Sequence, residues 1–335
     1  MQRRQLFQNT ALLLAGGAVA ACAGQFGRAA PAELGASDFH SLRRYHHVGA
    51  FGEIAVVELG APSLPAALFL HGFPLNAFQW RGAMARLAPL RRCIAPDFMG
   101  MGYTRVAPGQ AMTPEAQVAM LVALLDQLGV ASVDVIANDS GGTVAQLLML
   151  QHRERVRTLL LSNCDVETDS PPAALLPVID LARQGRFVDD WLGRWYDDRV
   201  LARSPEGIGG MCYADPAHPT DSAIDTYFGP LLATARRTEA AHAYAIALER
   251  NALAGSAAAL QRCDVPTRVV WGMADTIFSP ASPDWLDAQL GHSRGVRRLE
   301  GYKLFWPEER PDLIAEEARA VWSAWSPART TAALR

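Results

Sequence analysis

From about residue 43 the chain alternates short apolar runs with stretches of helical periodicity. GEIAVVEL, AALFLHG and RRCIAPD read as strands, the later ones with too little polar alternation to have a wet face. TPEAQVAMLVALLDQLG reads as a helix. Thr113 is placed to cap it, Pro114 suits its first turn, and Val118, Leu121, Val122, Leu125 and Leu128 keep helical spacing until Gly129 ends it. SVDVIAND (strand), GGTVAQLLMLQH (helix) and RVRTLLLSNCD (strand) follow. Such β-α-β alternation predicts an α/β fold, a mostly parallel sheet covered on both faces.

After Asp165 the rhythm breaks. Residues 168–262 carry a Pro-Pro pair, aromatic and Arg-rich helical stretches and a Gly/Pro-rich loop, without a convincing buried strand. The alternation resumes with the strand PTRVVWGMAD, a helix at SPDWLDAQL, the strand GVRRLE, and a last helix with Ile314, Ala318, Val321, Trp322 and Trp325 on one side. An insertion late in a parallel sheet is expected over the carboxyl ends of the strands, where ligands bind. Residues 168–262 therefore read as a helical lid on a core made of 43–167 and 263–328.

The first thirty residues stand apart. Arg3 and Arg4 precede the apolar ALLLAGGAVAA, which is too short to span a bilayer but suits a signal peptide. The paired arginines resemble a twin-arginine export signal, which predicts a periplasmic destination. VAAC, ending at Cys22, is a candidate lipobox that would tether the mature protein to a membrane through a lipidated cysteine; cleavage near AAPA is the alternative. Of the remaining cysteines, Cys93 and Cys164 sit in or beside apolar strands and read as buried thiols, whereas Cys212 and Cys263 are open to pairing.

Composition narrows the function by exclusion. With 31 Lys and Arg against 34 Asp and Glu, and no basic run interleaved with aromatics, nucleic acid is not an expected partner. No Cys/His cluster has zinc spacing, and nothing calls for a cofactor.

The chemistry points to NDSGGTVAQ, where a strand runs straight into a helix. A nucleophile at such an elbow occupies a strained backbone position, so the residues two before and two or three after it must be small. With Asp139 at the apex those flanks are Ala137, Gly141 and Gly142; with Ser140 they are Asn138, Gly142 and Thr143. Asp139 fits better, although Asn-Asp-Ser-Gly is also plain turn chemistry.

Over residues 43 to 325 these features resemble the α/β-hydrolase fold, an eight-stranded sheet with an inserted lid, and in particular its aspartate-nucleophile branch, the haloalkane dehalogenases and epoxide hydrolases. The resemblance rests on LFLHGFPLNAFQW, APDFMGMGYT, the elbow, and WGMADTIFSP, in that order. It implies that Asp139 attacks a small apolar substrate and that the residue after His71-Gly72, here Phe73, supplies an oxyanion amide together with that of Ser140. Asp275 matches the usual acid partner, while Asp165 stands where some haloalkane dehalogenases keep theirs. His71 is expected to brace its loop, and Asp97 to hold a turn. The dehalogenase habit of Trp after the nucleophile and Asn after His-Gly is not kept; Ser140 and Phe73 stand there. Epoxide opening calls for lid tyrosines, for which Tyr196, Tyr213, Tyr227 and Tyr244 are available.

The family's base, a histidine, follows the last strand. Matching Phe305, Glu308 and Pro311 of LFWPEERP to the family's pattern puts Leu304 in the histidine's place. A carboxylate can displace halide or open an epoxide unaided, but hydrolysis of the resulting ester needs an activated water. His242, in EAAHAYAIALER, and Lys303 are the candidate substitutes. Three readings stay open: a hydrolase acting through Asp139, a pseudoenzyme that binds an apolar ligand or reacts once, and an esterase using Ser140.

Overall fold

A computed structural model describes residues 33–325. The export signal, the lipobox at Cys22 and the AAPA site lie outside the described residues. Among the described residues no helix is long and apolar enough to cross a membrane.

Nine strands form one sheet: β1 (Arg43–Val48), β2 (Gly52–Leu59), β3 (Ala66–Leu70), β4 (Arg92–Pro96), β5 (Arg105–Val106), β6 (Val133–Asp139), β7 (Val156–Cys164), β8 (Thr267–Gly272) and β9 (Ser293–Leu299). The order is β1-β2-β4-β3-β6-β7-β8-β9, with β5 paired to β2 off that path. All contacts from β4 through β9 are parallel, and those of β2 with β1, β4 and β5 are antiparallel. The mostly parallel α/β-hydrolase sheet is present, with nine strands rather than eight.

The extra strand is the two-residue β5, too short to carry a pattern. β1, RRYHHV, likewise carries no apolar run, because it is an edge strand with exposed polar positions, buried only at its ends. His46 and His47 lie within it, opposite Ile54 and Glu53.

The central strands are apolar because both of their faces are covered. Every residue of β3 and β6 is buried, and each aliphatic side chain so buried contributes roughly 1.5–3 kcal/mol relative to exposure. The buried charge in β6, Asp134, is offset by Arg91 and Arg157, each at 2.8 Å, and by the Thr158 hydroxyl at 2.9 Å. These contacts anchor the amino end of β6, so its carboxyl end meets the following helix in a fixed place. The helix Pro114–Gln127 starts as its sequence implies, Thr113 accepting from the Ala116 N–H at 3.3 Å.

Between β7 and β8 the chain is helical, including Leu176–Arg183, a π-helical stretch Val188–Gly193, Asp221–Leu232, Ala235–Ala247 and Ala257–Arg262. The stretch holds Cys212. Cys93, Cys164, Cys212 and Cys263 are all free thiols, so the pairing left open for Cys212 and Cys263 does not form.

Candidate active site

β6 ends at Asp139 and the helix Ser140–Gln151 begins at the next residue. Asp139 has φ 55° and ψ −133°, and no other described non-glycine residue has a positive φ. Such a conformation costs about 1–3 kcal/mol and persists only where the surroundings enforce it. A Cβ added at Gly141 would lie 2.6 Å from the carbonyl oxygens of Leu70 and His71, and one at Gly142 2.3 Å from Cys164 Cβ. A Cβ on Gly72 would come 2.9 Å from Asp139. The small flanks are a steric necessity at this turn.

The Phe73 N–H donates to Asp139 Oδ2 at 2.7 Å, and the Ser140 backbone amide at the helix start also favours the charged form of this carboxyl group. Even so, burial holds the Asp139 carboxyl well above the usual carboxylate range, and the charge of Asp165 pushes the same way against the two amides.

Phe73 is set by its loop. His71 Nδ1–H donates to the Gly72 carbonyl at 2.9 Å and its Nε2 accepts from the Phe98 N–H at 3.0 Å, so the ring braces the loop. Burial lowers its basicity, consistent with a neutral imidazole. Asp97 holds the neighbouring turn by accepting from Ala77 N–H at 2.9 Å and Tyr103 N–H at 2.8 Å. Gln79 Oε1 accepts from Gly72 N–H at 2.9 Å while its Nε2 donates to Asn138 Oδ1 at 2.7 Å. Asn138 Nδ2 in turn donates to the carbonyls of Ser162, at 3.0 Å, and Leu304, at 3.1 Å. One relay of amides therefore ties the Phe73 loop, the elbow, β7 and the 304 loop together. Neither Gln79 nor Asn138 was recognisable beforehand, since each is an ordinary polar residue whose partners lie far off in sequence.

The carboxylates behind the elbow differ from one another. Asp275 Oδ1 accepts from Ile277 N–H at 2.9 Å and its Oδ2 from Asn163 Nδ2 at 2.8 Å. Asn163 Oδ1 accepts from Gly272 N–H at 2.7 Å and from Trp306 Nε1–H at 3.1 Å. Asp275 is thus held by an amide where the family pattern calls for an imidazole. Burial raises its carboxyl to about 6 against these donors. Asp165 is also raised to about 6, by burial first, with the hydroxyls of Ser170 and Thr143 opposing.

A cavity of about 740 Å³, part of it open to solvent, has Asp139, Ser140, Asp165 and Leu304 on its wall. The rest of the wall is largely apolar, with Phe187, Trp191 and Trp195 from the helical insertion. Phe73 stacks between Phe187, at 5.4 Å, and Tyr244, at 5.8 Å. Cys212 also faces this cavity, a position its sequence did not signal.

Leu304 occupies the expected place of the base and is buried. Of the two candidate substitutes, neither His242 nor Lys303 is among the residues lining this cavity. His242 Nε2 accepts from the Val188 N–H at 3.1 Å within the insertion, and burial lowers its basicity further. Lys303 Nζ donates to the Gly210 carbonyl. Two of the available tyrosines are also committed elsewhere. Tyr213 and Tyr227 donate to Glu308 Oε2 at 2.8 and 2.9 Å, and Glu308 Oε1 pairs with Arg81 at 2.6 Å. Tyr244 shares a hydrogen bond of 3.1 Å with Ser140 Oγ, so the serine hydroxyl faces a phenol and not a base.

The fold and the strained elbow define a protein of the α/β-hydrolase class. Residues 65–305 match the family described as "alpha/beta hydrolase fold", and the chain belongs to that family. "Haloalkane dehalogenase 2" of Mycobacterium tuberculosis is 25% identical over 268 residues, 79% of this chain and 89% of that one. "Epoxide hydrolase 2" of Siraitia grosvenorii is 40% identical over 98 residues, 29% of this chain and 31% of that one. At such higher identities the chain matches only about a third of the relative's length. Among solved structures, the haloalkane dehalogenase DbeA from Bradyrhizobium elkani superposes with a TM-score of 0.65 at 22% identity, over 84% of this chain and 99% of that chain. That likeness speaks to the fold.

Proposed function

We propose that Asp139 attacks the electrophilic carbon of a small apolar substrate, an alkyl halide or an epoxide, and forms an ester on its own side chain. The observation that carries this reading is the Asp139 carboxylate, held at a positive φ against the Phe73 N–H and facing an apolar cavity. An attacking carboxylate needs no base, because the bond-forming electrons are its own; a halide departs as the ion, and the alkoxide of an opened epoxide takes its proton from water. The wall disfavours anionic substrates, because its charged side chains are the acidic Asp139 and Asp165 and the rest is largely apolar. Similarity to relatives named haloalkane dehalogenase and epoxide hydrolase supports the same chemistry.

With Leu304 where an imidazole would stand, the second half-reaction is the slow one. The expected kinetics are a burst of one product equivalent per site, followed by slow release of alcohol. The test is incubation of the folded protein with short-chain haloalkanes and epoxides, followed by intact-mass measurement and peptide mapping. An added alkyl mass on the Asp139 peptide supports the reading. A folded protein that gains no mass and releases no product would instead be a binder of apolar ligands.

A further inference from the structure

We propose that Asp165 is the general base that frees the ester from Asp139, in the absence of an imidazole at position 304. The inference rests on the nucleophilic role of Asp139 and goes beyond it by assigning the second half-reaction.

The placement is the first argument. Cys164 is the register partner of Asp139 across β6 and β7, so Asp165 is the next residue past the elbow's neighbour. Asp165 shares the cavity wall with Asp139, Ser140 and Leu304. Its main chain is fixed there by Gln146 Nε2, which donates to the Asp165 carbonyl at 2.9 Å. Elimination is the second argument. Both oxygens of Asp275 are engaged by Asn163 and Ile277, and His71, His242 and Lys303 are bonded to the backbone. Among the described residues, Asp165 is the carboxylate besides Asp139 on the cavity wall, and its own side-chain partners are the hydroxyls of Ser170 and Thr143, not a rigid amide pair.

The chemistry balances with water alone. Asp165 accepts a proton from a water as the water oxygen attacks Cγ of the Asp139 ester. The negative oxygen of the tetrahedral intermediate is stabilised by the N–H groups of Phe73 and Ser140. Collapse breaks the bond between Cγ and the alkoxy oxygen, and the departing alkoxide takes the proton back from Asp165. The alcohol leaves, Asp139 is regenerated carrying the water's oxygen, and its proton passes to solvent.

An ordinary carboxylate is a weak base for this task, and burial makes Asp165 a stronger one by lifting it to about 6. The titratable groups near it are Asp139, Asp169, Cys164 and Tyr244. Burial keeps the Cys164 thiol and the Tyr244 phenol protonated. Asp169 is bonded to the Ser279 N–H at 2.6 Å and the Ser282 hydroxyl at 3.1 Å. The group coupled to Asp165 in the reaction is therefore Asp139 itself.

The experiment separates the two half-reactions of the full chain by intact mass, using C3–C6 haloalkanes and epoxides. In Asp165→Asn, ester formation at pH 7 should be faster than in the wild type, because a neighbouring negative charge is gone. Ester decay should fall by at least about 30-fold, the lower range of general-base effects. Wild-type decay should rise with pH and level off above about 6 to 7, whereas decay in the variant should stay flat. Asp165→Glu should restore part of the decay. In 18O-water, wild-type turnover should place label on the Asp139 peptide. A misfolded variant would lose both half-reactions, so the expected opposite changes distinguish chemistry from structure. Equal decay rates in wild type and Asp165→Asn would overturn the proposal, as would a wild-type ester that never decays; both leave Asp139 as nucleophile. A wild type that forms no ester and no product removes the nucleophile reading and this one with it.

Discussion

The turn after β6 and the turn after β9 both face the cavity, and the two differ in the chemistry their side chains carry. At the first, strain, small flanks and the Phe73 amide converge on one carboxyl group, the nucleophile of the proposed reaction. At the second, the supports are in place around a side chain that cannot. The Leu304 carbonyl is held by Asn138, the Phe305 N–H donates to the Cys212 carbonyl at 2.9 Å, Trp306 reaches Asn163, and Glu308 is locked by Arg81 and two tyrosines. Scaffold and chemistry are therefore separable: a loop can keep its shape through its backbone and flanking residues while position 304 carries none of the reactivity.

That contrast can be broken most sharply at the elbow. Asp139→Asn should lower ester formation by at least about 10³-fold, since the amide is a poor nucleophile. Mass spectrometry of the alkylated protein checks this, and an unchanged rate would place the reacting atom elsewhere. At the other turn, Leu304→His should accelerate ester decay by about 10²- to 10⁴-fold, measured as loss of the adduct mass over time. No acceleration in a folded variant would mean that the second turn no longer aims its central residue at Asp139.

Glu308→Gln tests the scaffold alone. It leaves Arg81 buried without a countercharge, a change that costs about 3–5 kcal/mol, to be read from urea unfolding. Ester formation per folded molecule should persist, and an undiminished stability would show that the buried pair does not hold the turn. The smallest effect concerns Asp275. Its carboxyl ionises near 4 when unfolded and at about 6 when native, so between those values the native state binds more protons. Its contribution to stability must fall as pH rises through that window. The wild type should therefore lose stability relative to Asp275→Asn from pH 4 to 6, by on the order of 1–3 kcal/mol, visible as a pH-dependent difference in Tm. A constant difference would mean that the native carboxyl is not raised.

How much of this was legible in the chain depended on how local its physics is. The choice of Asp139 over Ser140 followed from steric demands within a few residues, and Gly141 and Gly142 meet those demands against Leu70, His71 and Cys164. The parallel sheet followed from apolar runs in β3 and β6 with no wet face. β1 escaped notice because an edge strand can be mostly polar, and β5 because two residues make no period. The relay through Gln79, Asn138 and Asn163 was invisible for a different reason: a neutral amide has no preferred partner until the fold brings one within reach. The same holds for His242 and Lys303, whose residue types suggest basicity but whose partners, the Val188 N–H and the Gly210 carbonyl, are set by the fold.

The crowding at Gly72, Gly141 and Gly142 has a consequence for how such a protein can diversify. Each of these positions rejects even a methyl group, because the space it would need belongs to Asp139, to the Leu70 and His71 carbonyls, or to Cys164. Substitution at the elbow end of the cavity is thereby sterically closed off, while the aromatic wall at Phe187, Trp191 and Trp195 belongs to an insertion outside the sheet. Libraries that seek new substrate preferences are best spent on that wall, leaving the elbow as the constant against which the variants are compared.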